Sequence, residues 1–262
     1  MYLDIRVNLI FTLLTDFGLH DPYVGQMKGV LLSRCPSARI IDLTHDVPPQ
    51  DMVVAAFYLK KSWRHFPEGT IHLAIVDPGV GTERAAIVLR RDGHLFLGPD
   101  NGLLSGVAEN AEIYRILADE ETLPSRSDTF HGRDLFAPIA GMLANGKLPK
   151  ELGENTSSAD LVSCPLPESV SGGDGEIVGE VLFADHFGNL VTNLLAEDLP
   201  ENATILVKGR EIPLVRTYGE GEGGNPCALV NSFDVLEIAV PMSSAKDSLD
   251  VERGDPVVVR VR

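Results

Sequence analysis

Three short polar segments carry side chains that could bind or activate a small molecule. Asp16 ends an apolar run near the N-terminus. A second segment, VDPGVGTER, also follows an apolar run and has Asp77 and Arg84 seven residues apart. A third, TFHGRD, contains His131 and leads into a predicted helix. Because ligands of open α/β sheets bind beyond the carboxyl ends of the strands, the first two segments lie where a site is expected.

Each segment also has a purely structural explanation. Asp16 could cap a turn, and Asp77 could form a surface ion pair with Arg84. His131 could be a packed loop histidine, and Asp134 could be the N-cap of the helix that follows it. The residue types alone leave both explanations open.

Other motifs lack the neighbouring residues or elements that their functions require. Residues 219–224 (GEGEGG) match G-x-G-x-x-G, but no helix is predicted after them and two carboxylates would repel a pyrophosphate. The serine in residues 102–106 (GLLSG) is displaced by one position from a G-x-S-x-G elbow. The seven histidines form neither an H-E-x-x-H motif nor a tight cluster, so no metal site is predicted.

The composition narrows the class of protein. The 262 residues include 22 Lys and Arg against 38 Asp and Glu, a net charge of −16, which argues against nucleic-acid binding and suits a cationic ligand. The three cysteines form no C-x-x-C pair, so a reducing cytoplasm is expected. The apolar run at residues 7–14 is too short to span a bilayer, and we expect no membrane association.

Strands and helices alternate through the first part of the chain, which predicts a mostly parallel sheet flanked by helices. Asp21 is expected to cap the first helix, with Pro22 at its first position and Tyr23 on the same face as Met27, Val30 and Leu31. The predicted strands are Leu9–Leu14, Arg39–Leu43, Thr70–Val76, Ala85–Arg90, His94–Leu97 and Glu112–Ile116. The other predicted helices begin at Asp51, Asn101 and Asp134, and the second of these ends at Ala108.

The pattern of predicted secondary structure changes near residue 165. A Pro- and Gly-rich linker is followed by short β-rich runs, and one short helix is predicted at Ala245–Leu249. This pattern predicts a small antiparallel β-barrel. We therefore expect two domains, an α/β domain at residues 1–166 and a β-barrel domain at residues 175–262.

Seven motifs in order along the chain resemble one family. They are TDFG, HDVPP (residues 45–49), VDPGVGTER, GPDNG (98–102), TFHGRD, DHFGN (185–189) and LEIA (236–239). On these motifs the chain resembles the S-adenosyl-L-methionine (SAM) hydrolases, or hydroxide adenosyltransferases, which are relatives of the fluorinase and chlorinase. The resemblance implies an enzyme that hydrolyses SAM to adenosine and methionine, with SAM as substrate and no cofactor.

The resemblance also implies roles for individual residues. Asp77, Arg84 and His131 match the family's catalytic set, with Arg84 polarising water and either Asp77 or His131 accepting its proton. Because the sulfonium is already an activated leaving group, attack of water on the ribose C5′ carbon needs no general acid and no metal. Halogenases differ by an insertion after the VDPGVG-like turn and a serine at the place of Gly132, and both differences favour water as the nucleophile.

Substrate contacts follow from the same resemblance. Asp16 is expected to hold the ribose hydroxyls and Phe130 to pack near the ribose. The second domain is expected to bind the methionine part and the adenine. Its predicted substrate-binding residues are Asp185, Phe187, Asn189, Ser232, Phe233, Glu237 and Ala245.

Two alternative functions remain besides SAM hydrolysis, and the resemblance also predicts an oligomeric state. A SAM-dependent halogenase and a non-catalytic SAM- or adenosine-binding regulator are the alternatives, and product analysis separates the three. The resemblance implies a homotrimer whose sites lie between subunits.

Overall fold

The computed structural model describes residues 9–117, 127–164, 166–200 and 202–261. The chain divides into two compact units, residues 1–165 and residues 166–262. Among the described residues, no helix has the length and apolar character that crossing a bilayer requires.

The first unit is built on a seven-stranded sheet with the strand order β2-β1-β3-β5-β4-β6-β7. The ladders joining β2, β1, β3 and β5 are parallel, and those joining β5, β4, β6 and β7 are antiparallel. The strands are β1 (Ile10–Thr15), β2 (Arg39–Thr44), β3 (Ile71–Ile75), β4 (Ala86–Arg91), β5 (His94–Pro99), β6 (Glu112–Ile116) and β7 (Gly153–Thr156). The helices are α1 (Tyr23–Arg34), α2 (Met52–Ser62) and α3 (Ala137–Ala144). The α/β prediction is confirmed, with a mixed sheet.

Both faces of this sheet are covered, as alternation along the buried strands requires. Phe11 and Leu13 of β1 pack with Met27 of α1 and Ile139 of α3 in one apolar core. On the other face, His72 and Phe96 stack with ring centroids 4.8 Å apart, and Trp63, which follows α2, contacts Phe96. Every residue of β1 and β3 is buried, which explains why most residues of both strands are apolar.

The start of α1 differs from the prediction. The helix begins at Tyr23, and its N-cap is Pro22 rather than Asp21, with no capping bond from a side chain. Proline at that place supplies the carbonyl that accepts the N–H of Gln26, so the first turn closes without Asp21. Tyr23 is 46% exposed, and the buried residues of the helix are Val24, Met27 and Leu31.

The predicted helix Asn101–Ala108 is wrong; only a 3₁₀ turn, Ser105–Val107, forms there. Gly102 has φ +97°, and a Cβ on it would lie 2.6 Å from the backbone nitrogen of Cys164, so this residue breaks any helix. The side chain of Asn101 instead donates to the carbonyl of Val76 and accepts from the N–H of Leu103.

The second unit is a nearly closed antiparallel sheet, as predicted for a barrel. Its strand order is β12-β11-β15-β9-β10-β14-β13, with β8 paired to β9, and a bridge between Leu214 and Ala228 approaches closure. The strands are β8 (Val170–Ser171), β9 (Ile177–Ala184), β10 (Leu190–Leu195), β11 (Ala203–Val207), β12 (Arg210–Pro213), β13 (Cys227–Val230), β14 (Val235–Ala239) and β15 (Pro256–Val261). The helix α4 spans Ala245–Leu249, and its N-cap Ser244 accepts from the N–H of Asp247.

Candidate active site

The sheet brings two of the predicted acidic residues to one edge. Strands β1 and β3 are parallel neighbours, and Thr15 pairs with Ile75 at their carboxyl ends. Asp16 follows Thr15 directly, and Asp77 comes two residues after Ile75. Both carboxylates therefore leave the sheet on the side where ligands of α/β folds bind.

Asp77, Arg84 and His131 form one connected group. The guanidinium of Arg84 binds the carboxylate of Asp77 twice, from Nε to Oδ1 at 2.8 Å and from Nη2 to Oδ2. The same Nη2 lies 2.7 Å from Nδ1 of His131. The side chains of Asp77 and Arg84 are only 6% and 10% exposed, so solvent screens this ion pair weakly.

The contact with Arg84 determines the tautomer of His131. A guanidinium has only donors, so Nδ1 must offer a lone pair, and the hydrogen of a neutral ring then lies on Nε2. His131 is 2% exposed and immediately precedes a π-helical turn, Gly132–Phe136, that leads into α3. Such turns are rare and often occur at functional sites.

Asp134 is not an N-cap but lies inside this turn. Its carboxylate accepts from Nε and Nη2 of Arg133 and from the N–H of Ser127. The hydrogen bond from Arg133 lowers the pKa of Asp134 despite its partial burial. Asp134 therefore ties the TFHGRD segment to the chain before it.

A cavity of about 160 Å³ opens beside the group. Asp77, His131 and Gly132 line one side, and the rings of Phe17, Tyr23 and Phe130 line another. These three rings meet edge to face, with centroids 5.2 to 6.0 Å apart. Sequence reasoning missed Phe17 and Tyr23; the signal for Tyr23 was an aromatic residue in the first turn of a helix that follows a strand end.

A second cavity, of about 340 Å³, lies along residues 82–86 and 115–117. It reaches Arg84 but neither Asp77 nor His131. The smaller cavity is therefore the one that carries the polar group.

Asp16 is held by the loop between β2 and α2. Its Oδ2 accepts the N–H of Gln50 at 2.9 Å, and Gln50 has a φ of +65°, which is uncommon for a residue other than glycine. This bond joins residues 34 positions apart, so it is a long-range contact and not a local turn cap. Phe130, the other predicted ribose contact, lies in the cavity wall.

In the second unit, Asp185 and Asn189 close one turn. Oδ1 of Asp185 accepts the N–H groups of Phe187 and Asn189, and Oδ2 lies 3.3 Å from Nδ2 of Asn189. Phe187 at the tip of the turn is 74% exposed. The turn contacts the start of α4, because the carbonyl of Gly188 accepts the N–H of Lys246, next to the buried Ala245.

Glu237 on β14 is 3% exposed, and its carboxylate has two partners. The hydroxyl of Tyr218 donates to Oε1 at 2.6 Å, and Nδ2 of Asn231 donates to Oε2 at 3.0 Å. Burial is the largest cause that raises the pKa of Tyr218. The hydrogen bond from Tyr218 to Glu237 and the charges of Glu237 and Asp185 raise this pKa further. Sequence reasoning missed Tyr218, an aromatic residue next to the acidic glycine-rich stretch.

Ser232 and Phe233 lie in the turn between β13 and β14, after Asn231. Ser232 is exposed and Phe233 is half-buried. The side chain of Asn231 accepts the N–H of Phe233 and also binds Glu237, so it joins this turn to the strand.

Comparison with known proteins identifies the family. Residues 11–153 match the SAM hydroxide adenosyltransferase N-terminal domain, and residues 179–258 match the corresponding C-terminal domain. The chain belongs to the SAM hydroxide adenosyltransferase family.

Members of this family and of its halogenating branch are similar over nearly the whole chain. The (R)-S-adenosyl-L-methionine hydrolase of Thermus thermophilus is 40% identical over 93% of this chain and 96% of its own. The hydrolase of that name from Salinispora arenicola is 39% identical over 94% and 95%. A fluorinase from an Actinoplanes species is 30% identical over 88% of this chain and 91% of its own.

Solved structures of similar proteins share the fold. A conserved protein from Thermotoga maritima has a TM-score of 0.85 and 34% identity, covering 96% of this chain and 100% of its own. A conserved protein from Thermus thermophilus has a TM-score of 0.79 and 37% identity, covering 95% and 99%.

Within the part of this family member that the structure describes, no group of three or more His, Cys, Asp or Glu side chains is arranged to hold a metal ion.

Proposed function

We propose that this chain hydrolyses SAM to adenosine and L-methionine. The observation that carries the proposal is the buried contact of Arg84 with both Asp77 and His131 at the wall of an aromatic-lined cavity. Family membership supports the same substrate, because the hydrolases at 39% and 40% identity are named for SAM.

Hydrolysis of SAM requires a well-placed nucleophile and no general acid. An oxygen lone pair of water forms the bond to the ribose C5′ carbon, and the C5′–S bond breaks with its electron pair leaving on sulfur. Methionine departs as a neutral thioether, and the water loses one proton. The protein must therefore orient a water in line, keep bulk solvent away and accept that proton.

The hydrogen bonds rank the two candidate proton acceptors. His131 offers Nδ1 to Arg84 and carries its hydrogen on Nε2, so protonation at Nδ1 would break the contact with Arg84. Each carboxylate oxygen of Asp77 has a second lone pair beyond its bond to Arg84. We assign proton acceptance to Asp77, and orientation and charge stabilisation to Arg84 and His131.

The remaining family residues divide by substrate part. Asp16 and Phe130 are assigned to the ribose, and Asp185, Phe187 and Asn189 to the methionine. Tyr218 and Asn231 hold the carboxylate of Glu237 through one hydrogen bond to each oxygen, and we assign Glu237 to the methionine and the adenine. Ser232, Phe233 and Ala245 are assigned to the adenine.

We propose a homotrimer with sites between subunits. The cavity of about 160 Å³ is smaller than a site for a ligand of this size, typically about 300 to 1,000 Å³, so further protein surface is needed to enclose SAM. Exposed apolar side chains occur beside the candidate residues of each unit, namely Leu19 and Tyr23 in the first and Phe187 and Met242 in the second. No disulfide joins any of the three cysteines, which fits our assignment to the cytoplasm.

Product analysis tests the function. Purified protein is incubated with SAM, with and without chloride and with and without a chelator. We expect adenosine and methionine in every arm, because the sulfonium needs no further electrophile. A 5′-halogenated adenosine would support a halogenase, and unchanged SAM would support a non-catalytic regulator. Loss of activity with the chelator, followed by recovery when a divalent ion is added, would contradict the mechanism.

A further inference from the structure

A second buried histidine, His45, connects the end of β1 to the surface of the first unit. Its Nδ1 lies 2.8 Å from the hydroxyl of Thr15, and its Nε2 lies 3.1 Å from Oδ1 of Asp42. Lys28 donates to the other oxygen of Asp42 at 2.7 Å. Thr15 is fully buried and His45 is 3% exposed, while Lys28 and Asp42 are about one-third exposed.

The donors and acceptors give this chain of contacts a direction. The hydroxyl oxygen of Thr15 accepts the N–H of Phe17 at 3.2 Å, which leaves its own hydrogen for Nδ1 of His45. Nε2–H then faces the carboxylate of Asp42, in an electrostatic contact rather than a well-aligned hydrogen bond. The order threonine, histidine, aspartate is that of an activated nucleophile, but Thr15 is enclosed inside β1 and no substrate can reach it.

The loop that carries His45 holds Asp16 from several sides. Thr15, the residue before Asp16, binds the imidazole, and Gly18, two residues after it, donates its N–H to the carbonyl of His45 at 2.8 Å. Gln50, at the far end of the same loop, donates its N–H to the carboxylate of Asp16. The position of Asp16 therefore depends on how this loop is fixed to β1.

We propose that His45, together with Thr15, is a positioning residue that holds the carboxylate of Asp16 in place for the ribose. This inference rests on the proposed function, since it assigns a purpose to Asp16. A ribose contact is made before and during reaction alike, so its loss weakens binding more than turnover. Lys28 and Asp42, being partly exposed, contribute less than Thr15 and His45.

The strand itself supplies a matched control. Thr12, three residues earlier on β1, is equally buried, and its hydroxyl lies 2.7 Å from Nδ1 of another buried histidine, His72. Thr12→Val and Thr15→Val thus remove the same kind of hydrogen bond from the same strand. Only the second touches the loop that holds Asp16.

Steady-state kinetics with SAM and calorimetric titration with adenosine test the proposal. Thr15→Val is expected to raise KM for SAM and Kd for adenosine about tenfold, the scale of one buried hydrogen bond, with kcat within about threefold of wild type. Thr15→Ser keeps the hydroxyl and is expected to retain wild-type constants. Thr12→Val is expected to lower the unfolding temperature as much as Thr15→Val does, without changing KM or Kd.

Equal effects of the two valine variants on KM, or no effect of Thr15→Val, would overturn the positioning role. If Thr15→Val does not fold, His45→Gln and Asp42→Asn replace it in the test. The rise in KM is expected to be larger for His45→Gln than for Asp42→Asn. If KM rises in neither variant, the positioning role is overturned. Failure of the proposed function has a different signature, because wild-type protein would then form no adenosine from SAM. In that case the adenosine titrations still compare the valine variants.

Discussion

Arg84 determines the geometry of the candidate active site, because its guanidinium binds two partners at once. Its fork spans both oxygens of Asp77 and still reaches Nδ1 of His131. A lysine would carry the same charge but could not make this planar set of contacts. The spacing of Asp77 and Arg84 in the sequence made their pairing predictable, whereas the approach of His131, 47 residues further on, depends on the π-helical turn.

Variants of the three residues separate their roles. Asp77→Asn, Arg84→Lys and His131→Gln are each expected to lower kcat by roughly 10²-fold or more, as for loss of a positioned proton acceptor or charge stabiliser. His131→Asn offers an acceptor near the place of Nδ1, so it is expected to retain more activity than His131→Gln. Stopped assays of adenosine formation measure each kcat.

Arg90→Ala is the control for these variants. Arg90 lies on β4 and forms an exposed pair with Glu112 at 3.7 Å, so its removal is expected to leave kcat unchanged. Near wild-type turnover in Asp77→Asn would show that another group accepts the proton.

At the scale of elements, the parallel pair β1 and β3 does two things. At its carboxyl end it presents Asp16 and Asp77, as the order of strands and helices predicted. In its interior it buries polar side chains that the apolar pattern did not reveal: Thr12 binds His72, and Nε2 of His72 lies 3.1 Å from Nδ1 of His94. Tertiary packing, not local sequence, determines that such a histidine is enclosed.

Burial, together with the neighbouring His94, lowers the pKa of His72 from 6.5 to about 3. Burial also lowers the pKa of His94, while Glu68 and Asp92 act in the opposite direction. Because the unfolded chain takes up the proton below pH 6.5, the stability due to neutral His72 is complete above that pH and is lost as the pH falls toward 3. Urea unfolding between pH 7 and pH 5 is expected to show this loss, at most about 1.4 kcal/mol per pH unit from this residue.

His72→Gln tests the assignment. This variant is expected to be less stable at pH 7 but to lose less stability between pH 7 and pH 5 than wild type. His65 is exposed, so His65→Gln is expected to keep the wild-type slope. An unchanged slope in His72→Gln would mean that other groups cause the acid sensitivity.

For the whole molecule, the sequence predicted the fold class of both units better than the side-chain contacts of the second unit. The short β-rich runs of the second unit follow regular patterns, so they were enough to predict its antiparallel sheet. The partners of Glu237 were not predictable, because Tyr218 comes from an irregular stretch and no spacing rule connects it to β14. Irregular loops lack the periodicity from which contacts are inferred.

Subunit mixing tests the proposed trimer. Asp77→Asn and Asp185→Ala proteins, each inactive alone, are dissociated, mixed and reassembled. Sites shared between subunits predict partial recovery of activity, because some interfaces join an intact first domain to an intact second domain. Sites within one chain predict no recovery of activity, because every site would contain one of the two substitutions. If activity does not recover although subunit exchange is confirmed independently, shared sites are excluded, but the hydrolase proposal is not affected.

If water attacks the ribose C5′ carbon, the new oxygen of adenosine must come from the solvent. The protein is incubated with SAM in water enriched in a heavy isotope of oxygen, and the products are weighed by mass spectrometry. Attack at C5′ is expected to place one heavy oxygen in adenosine, at the 5′-hydroxyl, and none in methionine. Adenosine without the label, or label in methionine, would contradict it.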